Sequence, residues 1–211
     1  MTSRYAMPLL GFAALLVAGC VADRATPTPG EALYVQYCAV CHGEDGRSVE
    51  GMLSTPHLNN QALLTVVDDE FLRENTARGR PGPNGRGKPG TKMSVYGEEH
   101  GGPLTATELA LIVAHIRSWQ TEPSVALDPF VAGSDAEAGR VLYETHCLAC
   151  HGEDGWGEIA PSLAGVTFQD TATDAMIRHA IRNGREGTTM PAFQLTDAEI
   201  GDLISYIRTL E

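Results

Sequence analysis

An all-α chain of two tandem domains is the fold this sequence predicts, and three observations support it. Residues 30–120 recur, element by element, in residues 136–211. Each copy closes with a capping box, Thr105 with Glu108 and Thr196 with Glu199. Apolar residues follow each box at helical spacing: Leu109, Ile112, Val113 and Ile116, then Ile200, Leu203, Ile204 and Ile207. The run Cys-x-x-Cys-His stands once in each copy, at Cys38–His42 and Cys147–His151, followed both times by Gly-Glu-Asp-Gly.

In chain order, residues 1–19 read as an export leader. Arg4 is the positive flank, Ala6 to Ala18 is an apolar run too short to span a bilayer, and small residues precede Cys20. The ending Val17-Ala18-Gly19-Cys20 resembles a bacterial lipoprotein signal, with Cys20 as the lipidated first residue of the mature chain. Residues 20–29 form a Thr/Pro-rich tether. A first helix at 29–37, with Gly30 and Tyr34, matches 136–146, with Gly139 and Tyr143. Pro56-His-Leu58 matches Pro161-Ser-Leu163. A third helix at Asp69–Ala77 matches Asp174–Arg182, each stopped by a Gly-Arg pair, 79–80 and 184–185. The offset between copies then shrinks, so the first copy has insertions, two of them flanking Met93. Residues 121–135 join the copies. Pro123 and Pro129 predict extended chain there, while Val125, Leu127, Phe130 and Val131 are apolar enough to lie on the domain surface.

Cys-x-x-Cys-His is the attachment signature of c-type haem. One turn of chain presents both sulfurs to one porphyrin edge, and the adjacent imidazole lies under the iron as proximal ligand. Zinc would need a second Cys or His pair near each motif, and neither segment has one. A thioredoxin-like redox pair needs a βαβ context, and no strand-rich stretch precedes either motif. The reading is therefore two covalent haem c groups. Cys38 and Cys41 hold one, Cys147 and Cys150 the other, with His42 and His151 on the irons. The five cysteines are then one lipid anchor and two haem pairs. Each copy becomes a few helices wrapped around a covalent haem, which resolves how about ninety residues with long Gly/Pro loops hold together.

The net charge of −12 excludes nucleic acid or an anionic membrane surface as the main partner. Five of the 15 Lys and Arg residues nevertheless cluster just before Met93: Arg78, Arg80, Arg86, Lys88 and Lys92. That loop is expected to orient the protein on an acidic redox partner at the first haem.

Over residues 29–211 the pattern resembles class I cytochromes c, in a tandem arrangement like that of bacterial two-haem carriers. The resemblance implies that Gly30/Tyr34 and Gly139/Tyr143 lie where the first and last helices of each copy cross. Tyr206 is the matching aromatic on the second closing helix, and His115 takes its place in the first. The resemblance also implies a Met as second axial ligand. That is Met190 in the second copy and Met93 in the first, where Met52, His57 and His100 stay open as alternatives. It further implies that the carbonyls of Pro56 and Pro161 accept from the proximal imidazoles.

The resulting functional expectation is a membrane-tethered electron carrier in a respiratory or related chain. It would be exported to the periplasmic side of a bacterial membrane and exchange electrons with redox proteins. Two alternatives are kept: a cytochrome subunit of a dehydrogenase or oxidase complex, and a small peroxidase-like enzyme with one open haem.

Overall fold

The computed structural model describes residues 26–50, 55–80, 93–131, 133 and 135–210. The leader, Cys20, most of the tether, Met52, Arg86, Lys88 and Lys92 lie outside the described residues. Among the described residues the secondary structure is helical with no strand, apart from two isolated bridges, Arg80 with Met93 and Gly97 with Leu104. The first repeat contains α1 (Pro29–Tyr37), α2 (Ala39–His42), α3 (Gln61–Leu64), α4 (Asp69–Arg78) and α5 (Ala106–Arg117), with a 3-10 turn at Glu98–His100 before α5. The second contains α6 (Ala136–His146), α7 (Leu148–His151), α8 (Val166–Thr171), α9 (Asp174–Asn183) and α10 (Asp197–Ile207).

The long helices fall where the sequence expects them, because their ends are chemically marked. Thr105 and Thr196 accept from the backbone N–H of Glu108 and Glu199, whose carboxylates reach back to the cap. Thr28 with Glu31 makes a third such box, with Pro29 opening α1. Asp68, Asp135 and Thr173 cap α4, α6 and α9 through one side-chain bond each. Each cap contributes about 1 kcal/mol. The short helices α3 and α8 carry too few residues for periodicity to reveal them.

Two crossings organise the repeats: α1 over α5, and α6 over α10. Only glycine fits at their centres. A Cβ on Gly30 would lie 2.3 Å from the Leu111 carbonyl oxygen, and one on Gly139 only 1.9 Å from that of Asp202. One turn later Tyr34 and Tyr143 are fully buried, at 0% exposure. Their hydroxyls donate to the Gly43 and Gly152 carbonyls at 2.8 and 2.7 Å. Each crossing is thereby tied to the residue directly after a motif histidine.

Matching arginines lock the closing helices to the third ones. Arg117 bonds Asp69 and the Leu64 and Val67 carbonyls. Arg208 bonds Asp174 and the Gln169 and Ala172 carbonyls. Both satisfy carbonyls just ahead of a helix with a charge-assisted donor.

The repeats share one apolar core and meet where α4 packs on α8. Asn75 donates to the Thr171 hydroxyl at 3.0 Å, Arg78 pairs with Asp170 at 2.7 Å, and Asn60 donates to the Glu186 carbonyl at 2.8 Å. The joining segment is irregular over 121–131. Val125 N–H donates to Thr65 at 2.7 Å, Leu127 and Phe130 pack on the core, and Arg178 lies over the Phe130 ring at 4.9 Å. Leu127 and Phe130 are therefore bound to the domain surface, whereas Val125 and Val131 are 44% and 83% exposed.

Candidate functional site

Each motif forms one tight helical turn directly after the repeat's first helix. Cys38 ends α1 and opens α2; Cys147 does the same between α6 and α7. His42 N–H and His151 N–H donate to the Cys38 and Cys147 carbonyls at 2.9 Å each. This turn brings two sulfurs and an imidazole to one locus. Cys38 is buried, Cys41 exposed, Cys147 and Cys150 half-buried, and all four thiols are free. Burial, reinforced by the neighbouring motif thiol, pushes Cys38 up to about 12 and Cys147 up to about 11. Among the described residues no group of three or more His, Cys, Asp or Glu is placed to hold a metal ion by itself.

The histidines are oriented identically. Nδ1 of His42 lies 3.1 Å from the Pro56 carbonyl, and Nδ1 of His151 lies 2.9 Å from that of Pro161. A carbonyl only accepts, so Nδ1 carries the hydrogen and Nε2 keeps its lone pair. His42 is 7% exposed. Burial holds both imidazoles below the usual histidine range, with the carbonyl bonds opposing that shift; at His151 the nearby Arg80 and Arg185 add to the lowering. A neutral ring whose Nε2 keeps its lone pair is what a metal ligand requires. Paired thiols on one turn, beside such a ring, fit a covalently attached haem in both repeats.

Met93 and Met190 occupy the same place in their repeats. Gly79 and Gly184 end α4 and α9 at φ +63° and +68°, a conformation that disfavours any side chain. A Cβ there would lie 2.4 Å from the Ser94 oxygen or 2.7 Å from the Ala192 nitrogen, so each Met loop presses on its glycine. The next residue's N–H holds the loop: Arg80 donates to Met93 at 2.8 Å, Arg185 to Met190 at 3.0 Å. Of the alternatives for the first repeat, His100 is exposed on the 3-10 turn and His57 directly follows Pro56. Met52 lies outside the described residues.

His115 is at the α1–α5 crossing, 5.1 Å from the Tyr34 ring and 4.8 Å from Trp119, with its Nε2 buried and unpaired. Tyr206 sits 5.2 Å from Tyr143 at the equivalent crossing.

Of the cation cluster before Met93, only Arg78 and Arg80 lie among the described residues, and both are engaged within the protein. Arg78 is engaged with Asp170 and Glu74, and Arg80 turns into the second repeat, donating to the Ser162 carbonyl. The cluster's linear proximity concealed these contacts with the second repeat. The repeated Gly-Arg pair was the available sign that Arg80 and Arg185 share a structural position.

Family models match both halves of the chain: Cytochrome c over residues 27–120, and Cytochrome C oxidase, cbb3-type, subunit III over residues 134–207. A cytochrome c-553-like protein of Synechocystis is 34% identical over 88 residues, which is 39% of this chain and 81% of that protein. The chain belongs to the cytochrome c family. This cytochrome is also 27% identical over 198 residues to the cbb3-type cytochrome c oxidase subunit CcoP of Azospirillum sp. (strain B510), covering 86% of the chain and 61% of that subunit. CcoP of Azospirillum brasilense is 28% identical over 193 residues with the same coverage. The chain thus spans about three-fifths of the length of these curated relatives. Among solved structures, a chain of a Kuenenia stuttgartiensis reducing HAO-like protein complex superposes with TM-score 0.52 at 21% identity, over 87% of this chain and 96% of its own. That likeness is one of fold.

Proposed function

We propose that the chain is a two-haem c-type cytochrome that relays single electrons, exported and held at the periplasmic side of a bacterial membrane by a lipid on Cys20. The observation that supports it best is the duplicated imidazole geometry, with His42 on Pro56 and His151 on Pro161 at nearly equal distances. The haem supplies reversible one-electron chemistry at its iron. Cys38 and Cys41, and Cys147 and Cys150, would hold it covalently; His42 and His151 would be the proximal ligands, and Met93 and Met190 the distal ones. Thioether sulfur, a soft donor, favours the reduced state. With those side chains holding both iron positions, little rearrangement would accompany transfer and no position would be left for a substrate. The reading is therefore transfer rather than catalysis.

Within this reading, service to a membrane oxidase is favoured by the likeness of 86% of the chain to cbb3-type oxidase subunits. The two levels separate experimentally. Denatured protein should retain two haems per chain by its alkaline-pyridine spectrum, and Cys38→Ala/Cys41→Ala should halve that number; release on denaturation sinks the proposal. Co-purification of tagged full-length chain with an oxidase would establish a subunit, and its recovery alone would establish a free carrier. A Cys20→Ser chain that still fractionates with membranes would rule out the lipid anchor.

A further inference from the structure

The two methionine loops differ in length and in how they are tied down. Residues 94–104 join Met93 to the cap of α5, whereas only 191–195 join Met190 to the cap of α10. A longer connection has more conformations to lose before it settles in one. Both loops carry an aromatic residue three positions after the methionine, Tyr96 and Phe193. The backbone N–H of each donates to the helix behind it, Tyr96 to Ala77 at 3.2 Å and Phe193 to Ile181 at 3.0 Å. Each ring also meets the residue that immediately precedes its repeat's first motif cysteine. Tyr96 lies 6.1 Å from Tyr37, edge to face, and Phe193 lies 5.5 Å from His146.

One bond separates the two arrangements. The Tyr96 hydroxyl donates to the Tyr37 carbonyl at 3.0 Å. That carbonyl belongs to the last residue of α1, and the Cys41 N–H that would continue the helix onto it donates to Cys38 instead. A carbonyl at a helix end needs a partner from outside the helix, and Tyr96 supplies it. The bond therefore runs from the loop that carries Met93 to the turn that carries Cys38 and His42. Tyr96 is also fixed from its other side. The Leu104 N–H donates to its carbonyl at 2.8 Å, and a Cβ on Gly102 would lie 2.1 Å from its carbonyl carbon. A residue held both at its backbone and at the far end of its side chain cannot move without breaking one of these contacts. Phe193 has the ring and the backbone bond but no hydroxyl.

We propose that Tyr96 is a positioning residue of the first site, its hydroxyl pinning the Met93 loop to the motif turn so that Met93 is held in place against competing ligands. This rests on the two-haem reading with Met93 as the distal ligand. A distal methionine gives up its position only when its loop swings away, and here that movement has to break the bond between Tyr96 and Tyr37. The free energy of that bond is added to every opening of the loop. An external ligand that needs the vacated position then meets a smaller open fraction, and its apparent affinity falls in proportion. The ring contact is common to both repeats, so the hydroxyl is the part that distinguishes the first.

The test is an imidazole titration of the oxidised full chain, after haem counting has shown two haems, read by loss of the near-infrared methionine-to-iron band. The part of the band that belongs to the first haem is the part missing from a Met93→Ala chain. Tyr96→Phe keeps the ring and removes only the hydroxyl. It should raise the imidazole affinity of that part by roughly threefold to tenfold, the contribution of one neutral hydrogen bond, and leave the other part unchanged. Tyr96→Leu, which loses ring and hydroxyl together, should bind imidazole at least as tightly as Tyr96→Phe. Equal affinities in wild type and Tyr96→Phe would overturn the proposal, and a shift in Tyr96→Leu alone would then assign the tie to the ring. A Tyr96→Phe chain in which both parts shift equally would overturn it too, since a bond confined to the first loop cannot loosen the second. A Met93→Ala chain that keeps the whole band would defeat the ligand assignment and the proposal with it, whereas a haem count of one would defeat the two-haem reading.

Discussion

The two repeats build one layer of the fold from different residues. In the first, α5 supplies His115 and the turn after it supplies Trp119, which meet Tyr34 at 5.1 Å each, and Trp119 occupies the space where a Cβ on Gly46 would be. In the second, Tyr206 and Leu210 stand at the same places: Tyr206 meets Tyr143, and Leu210 takes the space against Gly155. That repeat's tryptophan, Trp156, comes from the loop after the motif and packs against Gly165. The invariant parts are those with a bond or a steric limit to satisfy: the crossing glycine, the tyrosine hydroxyl on the post-motif carbonyl, the imidazole on the proline carbonyl. Residues that only fill volume have exchanged positions. Volume can be supplied from several directions, whereas a hydrogen bond of given direction cannot.

This difference can be broken or sharpened by paired substitutions. The largest effect is expected at the methionines. If the loops are equivalent, Met93→Ala and Met190→Ala should each open one haem, lower its midpoint and allow carbon monoxide to bind, read by difference spectra of the reduced protein. Carbon monoxide binding in the Met190 chain alone would break the equivalence and return the first ligand to His57, His100 or Met52.

Next come the crossings. Gly30→Ala and Gly139→Ala both force a Cβ onto a backbone carbonyl, with the closer approach at Gly139. We expect a loss of about 3 kcal/mol at either site, somewhat more for Gly139, measured by thermal denaturation of the haem-loaded chain. A neutral Gly139→Ala would mean that α6 and α10 separate at little cost.

The smallest effect concerns pH. Burial holds His115 below 6.5 in the folded chain, with Glu31 pulling the other way, and its Nε2 has no partner. The unfolded chain then takes up a proton at a higher pH than the folded one. Stability from this residue is complete above about pH 6.5 and declines as the pH falls below it. His115→Tyr copies the second repeat and should flatten that decline, by comparing melting temperatures at pH 7.5 and 5.5 (conditions of the assay). An unaltered decline would place the sensitivity elsewhere.

Much of this was legible in the sequence because it is encoded locally. A capping box, a motif turn and a helix-stopping glycine each involve a few neighbouring residues, so α1, α4, α5, α6, α9 and α10 could be placed within a residue or so. The imidazole–proline contacts were legible only through the family resemblance, since His42 and Pro56 lie 14 residues apart. What was not legible is the contact between repeats. Arg80 reads as one cation in a basic loop, and only folding shows that its partner carbonyl belongs to Ser162, 82 residues away. Its neighbour Arg78 likewise reads as a docking charge but is engaged with Asp170.

The crossings also set an order of events in time. The Cys38–His42 turn comes directly after α1, yet its crevice is complete only when α5 has crossed over Gly30, and the second turn waits likewise for α10. Each motif therefore precedes its closing helix along the chain, the first by residues 43–105 and the second by residues 152–196. Such distant pairings also form slowly because a long loop must first be closed. During that interval both thiols of a motif are accessible on an unfinished surface. On the two-haem reading, the fold thus leaves an interval for attachment chemistry before each domain closes.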